Sequence, residues 1–259
     1  MLLLCGCFVS KPIQGETREL MDDTGRHITV PLHPKRIISL SYGTDEILFD
    51  LVPPDRIAAL SKYAGDMEIT FITPEMRDKV GQTTDMNPET IIRLNPDLVI
   101  ASLSVPSETV TLLSDSGIPV YISGIPKTYD GIKQKVRGVA KAVHEESRGE
   151  SLIQNMDERL AIIENKLHDV APEDERIAVG LSWKGGILGK KGTLFADVLK
   201  KAHVKDGANI YSVPKGASAY LSDELLPKIN PDVILLPVWK IKESDNKEKF
   251  AKKLIGNPA

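Results

Sequence analysis

The sequence predicts an α/β protein: two lobes with parallel sheets, joined by one long helix. Three observations carry this reading. Short apolar runs alternate with helical patterns, a nearly strand-free, proline-free stretch interrupts that alternation, and the halves on either side of it repeat one another. Strands that alternate with helices pair in parallel and are covered on both faces, which is why their apolar runs are continuous.

Residues 17–128 read as the first lobe. Arg18 to Pro31 alternates around the turn-forming Asp23-Thr24-Gly25-Arg26, the pattern of a β-hairpin. Strand-like runs follow at 36–40, 57–60, 98–101 and 120–122, with helical patterns at Thr44–Leu51, Pro88–Leu94 and Ser107–Ser116. Pro53-Pro54, Asn95-Pro96 and Gly117-Ile118-Pro119 break the chain between them. Residues 129–170 read as two helices. The first carries Ile132, Val136, Val139, Ala140 and Val143 at helical spacing. The second runs from His144 to about Asp169, with Leu152, Ile153, Met156, Leu160, Ile163 and Leu167 on one face. About 25 residues at ~1.5 Å each give a rod of roughly 37 Å, a stiff connector between lobes. Alternation resumes over 171–259, with strands at Ile177–Leu181 and Val233–Leu236 and helices at Leu194–Ala202 and Asp223–Lys228.

The repeat is the firmest of these signals. Asn87-Pro88-Glu89 through Asn95-Pro96-Asp97-Leu98-Val99-Ile100 aligns with Ser222-Asp223-Glu224 through Asn230-Pro231-Asp232-Val233-Ile234-Leu235, at a constant offset of 135 residues. Arg36-Ile37-Ile38-Ser39-Leu40-Ser41-Tyr42 is likewise echoed by Arg176-Ile177-Ala178-Val179-Gly180-Leu181-Ser182-Trp183. Matched caps, breaks and strands imply two related lobes.

Composition narrows the function. A 41% apolar fraction excludes a disordered chain, and a net charge of −3 argues against a nucleic-acid surface. No run of about 18 or more apolar residues is present. The two cysteines of the 259 residues, Cys5 and Cys7, lie in Met-Leu-Leu-Leu-Cys-Gly-Cys, so the rest of the chain holds no zinc-type cluster or internal disulfide. This start resembles a bacterial lipobox with Cys7 as the acylated residue, although the charged and long apolar regions that normally precede one are missing. Residues 1–16 then read as anchor and tether.

Ligands of parallel α/β sheets collect on the loops beyond the carboxyl ends of the strands. In the first lobe those loops carry Tyr42, Lys62, Tyr63, Thr84 and Ser104; in the second they carry Trp183, Lys184, Tyr220 and Trp239. Flat aromatic faces flanked by lysine suit a large, partly apolar, anionic ligand. Alternatively, each aromatic plugs the core of its own lobe. Glu89 and Glu224 fall at equivalent positions in the first turns of two helices, where a carboxylate gains ~0.3–1 kcal/mol from the helix dipole. The five histidines, His27, His33, His144, His168 and His203, avoid the cleft loops, so no side-chain metal site is expected.

These motifs together resemble the periplasmic (class III) substrate-binding proteins of ABC importers for iron-siderophores, haem and cobalamin. The resemblance runs from Arg18 to the C-terminus. It rests on Asp23-Thr24-Gly25-Arg26 with Pro34-Lys35-Arg36-Ile37-Ile38-Ser39-Leu40, on the two Asn-Pro-Asp segments with their helices, and on Gly192-Thr193-Leu194-Phe195-Ala196-Asp197-Val198-Leu199. It implies two Rossmann-like lobes on a spanning helix, a monomer with no cofactor of its own, and an iron chelate or tetrapyrrole captured between the lobes. It implies lipid anchoring outside the cytoplasm, with no membrane-spanning segment. It also implies that Glu89 and Glu224 meet a permease dimer, two carboxylates matching a two-fold partner. A metal would arrive inside its chelator, with Tyr42 or Tyr220 open as an axial ligand to haem iron. The family usually continues through a further strand and helix past Gly256-Asn257-Pro258, so the second lobe is expected to end short at Ala259.

An enzyme with an interlobe active site is the alternative from another class. Its signatures miss. Gly186 to Thr193 lacks P-loop spacing, because Lys191 and Gly192 intervene before Thr193, and Gly180-Leu181-Ser182-Trp183-Lys184 has Lys184 where a nucleophile elbow needs glycine. Asp97 and Asp232 each follow Asn-Pro at the start of a strand, a capping position rather than a catalytic pair.

Overall fold

The computed structural model describes residues 15–181, 187–188, 192–210 and 225–236. It divides into two compact units. The first holds residues up to Ile125 together with Lys133–Gln154, and the second holds Pro126–Ile132 together with the chain from Asn155 onward. The helical segment expected at 129–170 is therefore shared between the two units.

The first unit opens with an antiparallel hairpin, β1 (Thr17–Met21) and β2 (His27–Pro31). Alternation follows: β3 (Ile37–Ser39), α1 (Tyr42–Leu51), β4 (Ile57–Ser61), α2 (Pro74–Val80), β5 (Thr83–Thr84), α3 (Pro88–Arg93), β6 (Leu98–Ser102), α4 (Ser107–Asp115) and β7 (Val120–Ser123). The strands form one parallel sheet in the order β5-β4-β3-β6-β7. Two helices come next, α5 (Tyr129–Val143) and α6 (Glu146–Leu167).

The strands β3, β4, β6 and β7 feed both faces of the sheet. Leu98 and Ile100 of β6 join a cluster with Leu48 and Leu51 of α1 and Val139 and Val143 of α5. Their neighbours Val99 and Ala101 turn the other way, to Ile91 of α3 and to Val110 and Leu113 of α4. All four strand residues are fully buried, and a fully buried Leu, Ile or Val side chain stabilises by about 1.5–3 kcal/mol. This two-sided burial is the physical source of the unbroken apolar runs.

In the first unit two elements, α2 and β5, lie where the sequence reading assigned neither helix nor strand. The start and stop of α2 are local. Thr73 Oγ1 accepts a hydrogen bond from Met76 N at 3.2 Å, Pro74 takes the first helical position, and Gly81 closes the helix at φ +81°. The two-residue β5 is too short to show any periodicity.

In the second unit β8 (Ile177–Leu181), β9 (Ile187–Leu188), α7 (Leu194–Lys201), β10 (Lys205–Asp206), α8 (Gly207–Ile210), α9 (Leu225–Ile229) and β11 (Val233–Leu235) follow in order. β8 lies between β10 and β11, parallel to both, while β9 pairs with it antiparallel. β3 sits between β4 and β6 in the same way, so the sequence repeat is also a repeat of topology. Its punctuation has a common cause. Asn95 and Asn230 both adopt the left-handed conformation that ends a helix, at φ +49° and +45°. Two residues on, Asp97 accepts from Lys35 N and Arg36 N at 2.7 and 2.9 Å, and Asp232 accepts from Ile177 N at 2.7 Å. Each Asp thus pins the start of the adjacent central strand, β3 or β8.

Candidate functional site

The order β5-β4-β3-β6-β7 contains one reversal. The chain moves outward from β3 through β4 to β5, then returns to the other side of β3 for β6 and β7. The switch point lies between β3 and β6, where a parallel sheet leaves a crevice beyond its carboxyl edge. Tyr42 follows β3, Ser104 follows β6, and Lys62 and Tyr63 follow the neighbouring β4. Tyr42 and Tyr63 meet edge to face, with ring centroids 6.0 Å apart and planes at 87°, and Lys62 Nζ lies 5.3 Å from the Tyr63 ring centre. Tyr42 keeps 49% of its surface exposed, so the pair presents an open aromatic face beside a cation.

These loops are held by a set of hydroxyls. Every strand of the sheet ends on Ser or Thr: Ser39, Ser61, Thr84, Ser102 and Ser123, none more than 6% exposed. Ser39 Oγ donates to the Ser41 carbonyl at 3.2 Å, the Ser102 and Ser104 hydroxyls share a bond of 2.5 Å, and Thr84 Oγ1 donates to the Asp85 carbonyl at 3.2 Å. Among the described residues Ser123 Oγ is buried with no hydrogen-bond partner. Ser61 Oγ donates to Asp45 Oδ2 at 2.5 Å, and the Ser61 amide donates to Asp45 Oδ1 at 3.1 Å. Asp45 is fully buried. Burial pushes its carboxyl up to about 6, against the hydrogen bonds from Ser39 and Ser61, with a smaller upward push from Glu46.

Three further side chains shape this edge. Glu46 accepts from Thr70 Oγ1 at 2.8 Å and from Phe71 N at 3.0 Å, fixing a loop on which Phe71 is 83% exposed. Lys135 of α5 brings its ammonium to the start of α1, 3.9 Å from where a side chain at Gly43 would begin. Burial lowers its pKa, while Asp23 and Glu46 oppose that shift.

The candidates do not all stand alike. Tyr42, Lys62, Tyr63 and Ser104 share one edge, and Lys62 and Ser104 are exposed. Thr84 is corrected: it is the buried last residue of β5 rather than part of an open loop, and its hydroxyl is taken up by the Asp85 carbonyl. Glu89 is exposed in the first turn of α3, whose cap Asn87 accepts from Glu89 N and Thr90 N at 2.9 and 3.3 Å. Trp183, Lys184, Tyr220, Trp239, Glu224 and Cys7 lie outside the described residues. Among the described residues no three His, Cys, Asp or Glu side chains cluster as a metal site, and no helix is long and apolar enough to cross a membrane. Asp45, Glu46 and Lys135 were not among the sequence candidates. Each sits inside a helical pattern, where a charged residue reads as a solvated face.

The Periplasmic binding protein family pattern matches residues 37–259. The uncharacterized ABC transporter substrate-binding lipoprotein YvrC of Bacillus subtilis is 25% identical over 221 residues, which cover 83% of this chain and 67% of that protein. A cobalamin-binding protein of Halobacterium salinarum is 25% identical over 222 residues, 84% of this chain and 58% of its own length. The chain thus spans between 58% and 67% of the length of these two relatives. Among solved structures, a possible iron-binding (periplasmic solute-binding) protein from Staphylococcus epidermidis superposes with a TM-score of 0.69, covering 85% of this chain and 83% of its own at 22% identity. That likeness is one of fold.

Proposed function

The chain belongs to the periplasmic binding protein family, and from that membership we propose that it is the extracytoplasmic substrate-binding component of an ABC importer. Its ligand is a metal chelate, an iron-siderophore or haem, held at the carboxyl edge of the parallel sheet and delivered to a permease. The chain acts by binding and release, without catalysis. One observation carries the ligand reading: the open Tyr42–Tyr63 pair beside Lys62 at the switch point of the first unit. Aromatic faces with a neighbouring ammonium recognise a wide, partly apolar, anionic molecule. Trp183, Lys184, Tyr220 and Trp239 are the matching candidates of the second unit. Cobalamin is the second reading, favoured by the Halobacterium relative named for it. Lipid anchoring through Cys7 accords with the lipoprotein named among the relatives.

A thermal-shift screen with haemin, ferric ferrichrome and cyanocobalamin tests the ligand class. One of them is expected to raise the melting temperature, and replacing Tyr42 and Tyr63 together by Ala should weaken its binding about tenfold. A rise with a sugar or nucleotide and with none of the three chelates would reject the reading. Glu89, exposed at a helix start, is proposed with Glu224 as the permease contact. Substituting both by Ala should slow chelate uptake by cells while leaving affinity unchanged; a parallel loss of affinity would place them in the binding site instead.

A further inference from the structure

Asp45 is a buried carboxylate at a place where no catalysis needs one. Among the described residues it forms no ion pair, and the groups acting on it are Ser39 from β3, Ser61 from β4 and Glu46 on its own helix. Its position is specific. Asp45 lies one turn along α1 from Tyr42, and its partner Ser61 ends β4 two residues before Tyr63. Ser61 Oγ donates to Asp45 Oδ2 at 2.5 Å and accepts from the Tyr63 backbone N–H at 3.4 Å. A single chain of hydrogen bonds therefore runs from Tyr63 N–H through the Ser61 hydroxyl to the carboxylate one turn along α1 from Tyr42.

We propose that Asp45 is the positioning residue for the Tyr42–Tyr63 pair, holding the two rings in their edge-to-face arrangement through Ser61. The proposal rests on the reading of that pair as a ligand contact. Its chemistry is directional. An ionised carboxylate offers acceptors only, so the Ser61 hydroxyl must give it its proton and keep its lone pairs for Tyr63 N–H. A neutral amide at the same place can donate to that hydroxyl instead. The hydroxyl proton then turns elsewhere, and the second lone pair, which serves the Tyr63 amide, is turned with it, so that bond is weakened. Burial strengthens this choice, because no water competes for the carboxylate.

The test combines binding with a readout that needs no ligand. Haemin, cyanocobalamin and ferric ferrichrome are titrated at about pH 7.5 into the wild-type chain and into Asp45→Asn, Ser61→Ala, Ser61→Thr and the Tyr42→Ala/Tyr63→Ala double variant. In parallel, the ring-current shift between Tyr42 and Tyr63 is followed by NMR on tyrosine-labelled protein. Asp45→Asn and Ser61→Ala are expected to shrink the ring-current shift and weaken the bound chelate about tenfold. Ser61→Thr keeps the hydroxyl and should keep both. Asp45→Asn should not lower the melting temperature, which separates positioning from a merely structural role. An unchanged ring-current shift in Asp45→Asn and Ser61→Ala overturns the proposal. If the tyrosine double variant binds like wild type, or if no chelate binds, the ligand reading fails instead, and the ring-current comparison still decides what Asp45 does.

Discussion

Asp45→Asn is expected to be more stable than the wild-type chain at neutral pH, and the gap should close on acidification. The folded-state carboxyl titrates at about 6 against an ordinary 3.8. Between those values the folded chain holds a proton that the unfolded chain has released. Wild-type stability therefore falls as pH rises through this window and stays lower above it, by about 3 kcal/mol when the two-unit difference is fully expressed. Asparagine has no proton to lose, so the difference between the proteins grows from near zero below about pH 4 to its full value near pH 7. Other carboxylates act the opposite way. The hydrogen bonds of Thr24 and Arg26 outweigh the burial of Asp22, and Arg18 outweighs that of Glu146, so both carboxyls are held below the usual range and their contribution is lost in acid. Those groups are common to both proteins and cancel in the comparison. Chemical denaturation at a series of pH values reads the result; two curves that run parallel from pH 4 to 7 would mean that Asp45 is not titrating as its burial requires. Greater stability with weaker chelate binding would mark Asp45 as a residue kept for the site at the expense of the fold.

Much of this architecture was legible in the sequence because its causes are local or periodic. Two-sided burial forces unbroken apolar runs such as Leu98–Ala101, and the left-handed Asn95 and Asn230 need a residue type that tolerates positive φ. The switch-point loops followed from where those strands end, which placed Tyr42, Lys62, Tyr63 and Ser104 at one edge. What escaped depends on contacts distant in sequence. Thr44-Asp45-Glu46 reads as the solvated first turn of a helix, and only the packing of Ser61, 16 residues on, shows that Asp45 is buried. Thr84 was misplaced for a related reason: two residues of strand carry no alternation, and only its pairing with Ser61 of β4 shows that it belongs to the sheet, where it is buried. The five strand-terminal hydroxyls could be seen in the sequence one by one. Their common role becomes visible only when the parallel strands bring them to one edge.

A second large effect is expected at Gly138, on the face of α5 that meets β7. A Cβ added there would lie 2.3 Å from the Tyr121 hydroxyl and 3.1 Å from Asp23 Oδ1. Neither neighbour is free to yield. Tyr121 is 2% exposed and donates to Asp23 Oδ1 at 2.6 Å, while the other Asp23 oxygen accepts from Gly124 N at 2.7 Å. Asp23 in turn sits in the hairpin turn, whose backbone joins β7 through the bond from Asp23 N to the Ile122 carbonyl at 3.1 Å. Gly138→Ala must therefore displace a buried phenol from its acceptor. Overpacking and the lost hydrogen bond together should cost about 2–4 kcal/mol, a fall in melting temperature of roughly 5–15 °C for a chain of this size. The cause can be isolated with Tyr121→Phe, which removes the clashing oxygen. In the double variant the two costs should fall short of their sum by more than about 1 kcal/mol, because one substitution makes room for the other. Additive losses, or a Gly138→Ala protein that melts with wild type, would show that α5 does not approach β7 closely enough for a glycine to be required.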